Sequence, residues 1–206
     1  MPRCTGLVLS LALVVLMPVA GHADQSAPFT SLDLRYSPGF QYVNFSQMRG
    51  PIIFPNVTYQ WVAIFGNLSS VSFGGGYQFI QTPSLFVTVT ANIATNSQGL
   101  SWVEPGLALY WIAGRLTVSA SGGYDIFLNS SAPPLIGVDP VEFVYQVDDR
   151  WSVGLDTTSF VAGQPVAAAL LPLVRYSDGH GFYEVSLDNL GPGFSREIQV
   201  RWAAFW

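Results

Sequence analysis

The chain contains no lysine, and only 10% of its 206 residues are charged. Soluble domains carry about 25% charged residues, and these form the polar surface that keeps them dispersed in water. Hydrophobic residues make up 50% of this sequence, and aromatic residues make up 14%. Because so few charges do not suffice for a water-facing surface, the composition argues against an ordinary soluble protein.

Cysteine is almost absent as well, since Cys4 is the only one. It lies in a segment that we expect to be removed, so the mature chain has no thiol for disulfides, catalysis or metal binding. Positive charge is also scarce: the formal net charge is −5, and no arginine cluster forms a basic patch. Nucleic-acid binding needs such a patch, so nucleic acid is not an expected partner.

Long apolar runs are missing too, apart from one at the start of the chain. Residues 1–23 have the layout of a secretory signal peptide, in which Arg3 precedes the apolar stretch Leu7–Val19. That stretch is shorter than the ~20 residues of a membrane-spanning helix. We therefore expect export, cleavage after Ala23, and a mature chain of residues 24–206 without a spanning helix.

The mature chain alternates apolar and polar residues with a period of two, instead of the 3.6 of a helix. From Leu85 to Ile93, the odd positions are leucine, valine, alanine and isoleucine, and the even ones are mostly threonine and asparagine. Successive side chains of a strand point to opposite faces, so this run is a strand with one apolar face. Ten such runs are clear, at 52–65, 69–82, 85–95, 100–113, 115–128, 139–148, 151–162, 165–177, 180–190 and 195–206. Two further runs at 29–36 and 39–49 would make twelve.

Short segments rich in glycine, proline, asparagine and aspartate separate these runs. Strands joined by tight turns predict an antiparallel meander. The longest connection is 129–138, which contains two prolines. Pro172 lies inside the run 165–177, where its missing N–H predicts a kink or a bulge. Gly74–Gly76 lie inside a strand, which indicates close packing or curvature.

The final strand ends the sequence on an aromatic side chain. Its apolar positions are Ile198, Val200, Trp202, Ala204 and Trp206, and polar residues occupy most positions between them. This stretch resembles the C-terminal β-signal of Gram-negative outer-membrane β-barrels, in which the last strand ends in phenylalanine or tryptophan. The resemblance covers these residues and the overall layout, and no motif identifies a particular family. It implies insertion by the β-barrel assembly machinery.

A barrel in lipid accounts for the composition, because its apolar face points outward into acyl chains and its polar face lines the inside. We predict an all-β, transmembrane, up-and-down antiparallel β-barrel of about twelve strands with short periplasmic turns, located in the outer membrane of a Gram-negative bacterium. In the ten-strand alternative, residues 24–51 form a periplasmic or plug segment. A periplasmic C-terminus would place loop 129–138 outside the cell.

Strand alternation assigns ten charged side chains, seven of them carboxylates, to the lumen. These are Glu104, Arg115, Asp125, Glu142, Asp156, Arg175, Glu184, Asp188, Glu197 and Arg201. Rings of carboxylates favour cations, so the first interpretation is a narrow, porin-like channel for small solutes or cations. The alternative is a closed structural barrel, in which arginines pair with carboxylates and large side chains such as Trp102 fill the passage.

Two other functions stay open. A lipid-modifying outer-membrane enzyme would need a base beside its nucleophile, and the mature chain offers only His180, in a predicted turn beside Ser177 and Asp178. A lone histidine also lacks partner ligands for a metal, so we assign no catalytic, cofactor or metal residue. A soluble lipocalin-like ligand carrier would show similar alternation, but with its polar face outward.

Replacing Trp206 with serine is expected to impair assembly of the barrel, because the terminal aromatic residue belongs to the signal that the assembly machinery reads. The measurement is the heat-modifiable migration of the folded barrel on a gel. A variant that folds as completely as the original chain would argue against the β-signal.

Overall fold

The computed structural model describes residues 29–63, 67–138, 141–157, 160–161, 170–189 and 196–206. The expected signal peptide lies outside these residues. The described residues contain no helix long and apolar enough to cross a membrane. They form a 14-stranded sheet. Its strands are β1 (Phe29–Ser37), β2 (Phe40–Arg49), β3 (Ile52–Val62), β4 (Leu68–Gln81), β5 (Leu85–Asn96), β6 (Ser101–Ala113), β7 (Leu116–Phe127), β8 (Leu135–Val138), β9 (Glu142–Gln146), β10 (Trp151–Thr157), β11 (Phe160–Val161), β12 (Leu170–Ser177), β13 (Gly181–Asn189) and β14 (Arg196–Phe205).

Antiparallel pairing closes this sheet into a barrel. β1 pairs with β2 on one side and with the last strand, β14, on the other, so that Leu34 faces both Val43 and Trp202. Segments β8 and β9 both pair with β7, and they form one barrel strand between them. Segments β10 and β11 form the next, since they pair with β9 and β8 respectively. The closed barrel therefore has twelve strands, as predicted, and residues 29–49 are its first two strands.

Alternation along the strands places apolar side chains outside and polar ones inside. On β13 and β14, Val185 and Ile198 are exposed by 52% and 63%, whereas Glu184, Ser186 and Gln199 are buried. Exposed large apolar side chains occur on most of the other strands as well. An apolar exterior is suited to hydrocarbon, and it is the opposite of what a soluble ligand carrier needs.

The two ends of the barrel differ in their connections. The end that carries the C-terminus, here called the turn end, has only short turns, such as those that contain Gly50 and Gly114. Both glycines have positive φ, a conformation that costs glycine little. The other end, here called the loop end, carries the longer connection between β7 and β8. That connection is 128–134, shorter than the predicted 129–138, because 135–138 continue as β8.

The turn between β9 and β10 shows how a polar side chain ends a strand. The Asp148 carboxylate accepts hydrogen bonds from the backbone N–H groups of Arg150 and Trp151, each at 2.8 Å. These two bonds hold the pKa of the Asp148 carboxyl below its usual range. The aspartate thus supplies the turn with acceptors that the interrupted ladder no longer provides.

Pro172 does not produce the predicted bulge. The register between β10 and β12 continues without a shift and places Leu155 opposite Pro172. On its other side β12 pairs with β13, and that ladder begins at Leu173, the residue after Pro172. The missing N–H therefore limits one ladder rather than shifting the other. Register shifts occur elsewhere, including the one between Ile53 and Asn56 in β3.

An arginine in the middle of the apolar exterior should destabilise the barrel strongly. Val185→Arg at the centre of β13 is expected to lower the free energy of unfolding by about 2–4 kcal/mol, and Tyr145→Arg beside the turn end by about 0–1 kcal/mol. Reversible denaturant unfolding from lipid vesicles measures both. Equal losses of unfolding free energy at the two positions would contradict the placement of the apolar exterior in hydrocarbon.

Candidate functional site

The barrel encloses a cavity of about 720 Å³. One side of it is lined by amide and hydroxyl side chains at alternate positions of β2 to β5. This side, which we call the neutral wall, comprises Asn44, Thr58, Gln60, Ser72, Thr90 and Asn92. Part of it is cross-linked, since Asn44 Nδ2 donates to Asn56 Oδ1 at 2.7 Å and to Thr58 Oγ1 at 2.9 Å. The wall therefore offers hydrogen-bonding groups without charge.

The opposite side of the interior carries a group of charged side chains from β1 and from β9 to β14. We call it the ion-pair cluster, and its members are Asp33, Arg35, Glu142, Asp156, Arg175, Glu184 and Arg201. Arg201 binds the Asp33 carboxylate through Nε and Nη2, at 3.0 and 2.8 Å. Its Nη1 donates to Glu142 Oε2 at 3.1 Å. One guanidinium thus joins β14 to β1 on one side and to β9 on the other.

Arg175 is the second arginine of the cluster that binds two carboxylates. Its Nε donates to Glu184 Oε2 at 2.8 Å, and its Nη2 donates to Glu142 Oε1 at 2.7 Å. Glu184 is only 3% exposed. Arg175 and Arg201 also lie against the ring of Phe182, at 4.1 and 4.9 Å from its centroid. Because a charge buried without a partner is costly, these contacts explain how such groups are accommodated inside the barrel.

Strand register is what brings the cluster together. Arg201 lies directly opposite Arg35 on one neighbouring strand and opposite Glu184 on the other. Glu184 in turn lies opposite Arg175. Inward side chains of four neighbouring strands thus form one row around the barrel, in which Glu184 separates two arginines. Arg35 and Arg201 are direct neighbours, and Asp33, which binds both of them, offsets their repulsion.

Glu142 and Asp156 face each other across β9 and β10. Their carboxylate oxygens and those of Glu184 lie within 4.8 Å of one another. Three carboxylates at this spacing resemble a cation site, but Arg175 and Arg201 already use oxygens of Glu142 and Glu184. The arginines thus supply the positive charge that the carboxylates require, and we assign no metal to them.

The structure describes nine of the ten predicted lumen side chains and places them in three regions. Five of them belong to the ion-pair cluster: Glu142, Asp156, Arg175, Glu184 and Arg201. Glu104, Asp125 and Glu197 lie toward the loop end. The Glu197 carboxylate there accepts a hydrogen bond from the backbone N–H of Gly39 at 2.7 Å. Asp188 pairs with Glu197 in the β13–β14 ladder, but its side chain lies outside the described part of the structure.

Arg115 is placed differently from the other predicted lumen charges. It is exposed in the turn between β6 and β7, at the turn end, and its Nη1 donates to the Val147 carbonyl at 3.1 Å. It therefore lies at the rim rather than in the cavity wall. Asp33 and Arg35 also belong to the cluster, although they were not among the ten predicted lumen charges. They occupy alternate positions of the predicted strand 29–36, and this alternation was the signal in the sequence that could have revealed them.

Aromatic side chains collect at the turn end. Phe205 stacks on Phe29, with 5.5 Å between ring centroids, and contacts Phe182 at 6.0 Å. On the other side of the interior, Phe86 and Tyr110 are 6.0 Å apart and line the cavity, as does Trp102 near the loop end. Inward aromatic residues are thus present, as the closed-barrel alternative requires, but they do not fill the cavity that they line.

His180 lies in the turn between β12 and β13, as the sequence indicated. It is exposed, and its backbone N–H donates to Asp178 Oδ1 at 2.9 Å. It is not among the described residues that line the cavity. Its position gives no reason to assign it a catalytic role.

No protein-family model and no curated protein matches the sequence. Solved structures do match over most of the barrel. The match to the KdgM porin covers 86% of this chain and 98% of the porin chain, with 11% identity and a TM-score of 0.54. The match to the NanC porin covers 87% of this chain and 100% of the porin chain, with 14% identity and a TM-score of 0.54. The match to an outer membrane channel from Pseudomonas putida F1 covers 91% of this chain and 100% of that channel's chain, with 11% identity and a TM-score of 0.52. The chain therefore has the fold of outer-membrane porin barrels, and such low identities carry no information about a solute.

Removing the guanidinium of Arg201 should leave Asp33 without its bidentate partner and Glu142 with only one of its two arginines. Arg201→Met is expected to lower the free energy of unfolding by about 3–5 kcal/mol, because a broken buried pair costs more than the intact pair contributes. Adding Asp33→Asn should recover part of the loss. Arg115→Met at the exposed rim is the matched control and should cost about 0–1 kcal/mol. Equal losses for the two arginines, in vesicle unfolding titrations, would contradict the role of the cluster.

Proposed function

We propose that the protein is an outer-membrane channel for small polar solutes, with a preference for cations. The observation that carries the proposal is a cavity of about 720 Å³ inside a porin-type barrel, bounded by uncharged polar side chains on one side and by compensated charges on the other. A polar lining keeps water inside, whereas an apolar constriction would tend to exclude it. The lining is thus suited to passage of hydrated solutes.

The preference for cations follows from where the charges lie. Within the ion-pair cluster, three guanidiniums face four carboxylates, which leaves a formal excess of one negative charge. Toward the loop end, the charged inward side chains that the structure describes are Glu104, Asp125 and Glu197. A charged mouth with low-dielectric walls concentrates ions of opposite sign. A cation that enters from the loop end therefore meets a favourable potential.

One solved neighbour is described as the KdgM porin in complex with disordered oligogalacturonate, which is a polyanion. The interior of the present chain does not favour such a ligand. Arg175 and Arg201 are the arginines deepest in the cluster, and both are already bound to carboxylates. An anionic sugar would have to compete with Asp33, Glu142 and Glu184 for these two arginines.

A closed structural barrel is the second candidate. The observation that favours it is the group of Phe29, Phe182 and Phe205, which lies at the turn end below the ion-pair cluster. Either function needs the same environment. The apolar exterior is suited to outer-membrane lipid, and the C-terminal strand is suited to the β-barrel assembly machinery after export with the signal peptide of residues 1–23.

Single-channel recording in planar bilayers tests the proposal. The purified barrel should give discrete conductance steps, and a salt gradient should give a reversal potential of cationic sign. The double variant Glu104→Gln/Asp125→Asn should reduce that potential, because it removes two loop-end carboxylates, whereas Arg115→Gln at the rim should not. A flat trace would support the closed barrel, and an anionic reversal potential would contradict the charge argument.

A further inference from the structure

Two glycines face each other on the inner side of the barrel wall. Gly106 of β6 is paired with Gly123 of β7. A Cβ on Gly123 would lie 2.7 Å from Glu104 Cγ and 2.8 Å from Glu104 Oε1. A Cβ on Gly106 would lie 2.5 Å from Thr90 Oγ1. The space of each missing side chain is thus taken by the side chain of a neighbour, which lies along the wall instead of pointing to the barrel axis.

Glu104 has a reason to lie in this direction. The register that pairs Val103 with Ile126 and Gly106 with Gly123 places Glu104 opposite Asp125. Two carboxylates directly opposite each other on one face of a sheet are unfavourable. The Glu104 side chain leans over Gly123, which keeps its carboxylate against the sheet.

The other half of the interior is occupied in part by the ion-pair cluster. Arg35, Glu142, Asp156 and Arg201 reach the cavity from that half, while Arg175 and Glu184 lie behind them and are absent from its described lining. Most of the described lining instead comes from β2 to β7. The free space is therefore displaced from the barrel axis toward the neutral wall and the strands that carry the two glycines.

We propose that solutes pass off the barrel axis, along strands β3 to β7, and that Gly123 sets the width of this path by holding the Glu104 carboxylate against the wall. The inference rests on the proposed channel function and adds to it the route and one residue that determines selectivity. Gly123 acts through Glu104, and it is therefore a positioning residue.

Gly123→Ala tests this role. The nearest atoms belong to the flexible Glu104 side chain, so the added methyl group should displace that side chain toward the lumen and leave the backbone in place. The expected result is a loss of single-channel conductance together with a reversal potential shifted further toward cations. Gly137→Ala is the matched control: Gly137 lies opposite Gly123 in the β7–β8 ladder, and its added Cβ would meet nothing within 4 Å.

Removal of the Glu104 side chain should abolish the effect of Gly123→Ala on conductance and selectivity. In the Glu104→Ala background, Gly123→Ala should change neither conductance nor selectivity. A Gly123→Ala channel that conducts like the original, or a Gly137→Ala control that loses as much conductance, would overturn the proposal. Silent bilayers for every variant and for the original chain would instead overturn the channel function itself.

A second experiment tests the route without relying on the folding of Gly123→Ala. The mature chain has no cysteine, so a single introduced thiol can be modified selectively. Ser72→Cys on the neutral wall and Ser152→Cys, opposite Arg175 in the ion-pair cluster, are matched isosteric changes. Ser152 is buried and is not among the described residues that line the cavity. A water-soluble, positively charged thiosulfonate reagent should block current through Ser72→Cys and leave Ser152→Cys unaffected. The reverse pattern, or equal block, would overturn the off-axis route.

Discussion

The structure depends on the closure of the sheet between its first and last strands. In hydrocarbon no water is present to bond an open edge, so every backbone N–H and C=O has to find a partner within the sheet. The seam provides this up to the last residue: Thr30 and Trp206 exchange two backbone hydrogen bonds, of 2.7 and 3.0 Å. Inside the barrel, the contact between Arg201 and Asp33 crosses the same seam. Backbone pairing and charge pairing thus join the first and last strands at one place.

Closure also decides where polar residues lie. Once the exterior has to be apolar, alternation sends the charges of the strands inward, where they are partly shielded from water and need partners. Glu184 meets this requirement through Arg175, and Glu142 meets it through Arg175 and Arg201. The low overall charge and the concentrated ion-pair cluster therefore have the same cause. Turns are free of the constraint, which is why Arg115 and Asp148 are exposed at the turn end.

Alternation predicted most strands and the number of barrel strands, because each strand has one face in lipid and a period of two survives in the sequence. It did not predict β8, where Leu135 to Val138 are apolar or glycine at every position and follow two prolines. It also could not bring Glu142, Arg175 and Arg201 together. Their meeting depends on the register across the four ladders that connect β9 to β14, and alternation within a single strand does not specify that register.

A barrel of twelve strands is wider than one of about eight, whose interior side chains suffice to fill it. Part of the extra width here is taken up by arginine–carboxylate pairs rather than by apolar side chains. This choice has a consequence for the remaining space, because an apolar filling would favour dewetting of a narrow passage, whereas charged groups and the neutral wall both hold water. Paired charges also add little net potential of their own. In the proposed channel, selectivity is then left to the few carboxylates outside the ion-pair cluster, and Gly123 determines how one of them, Glu104, is presented.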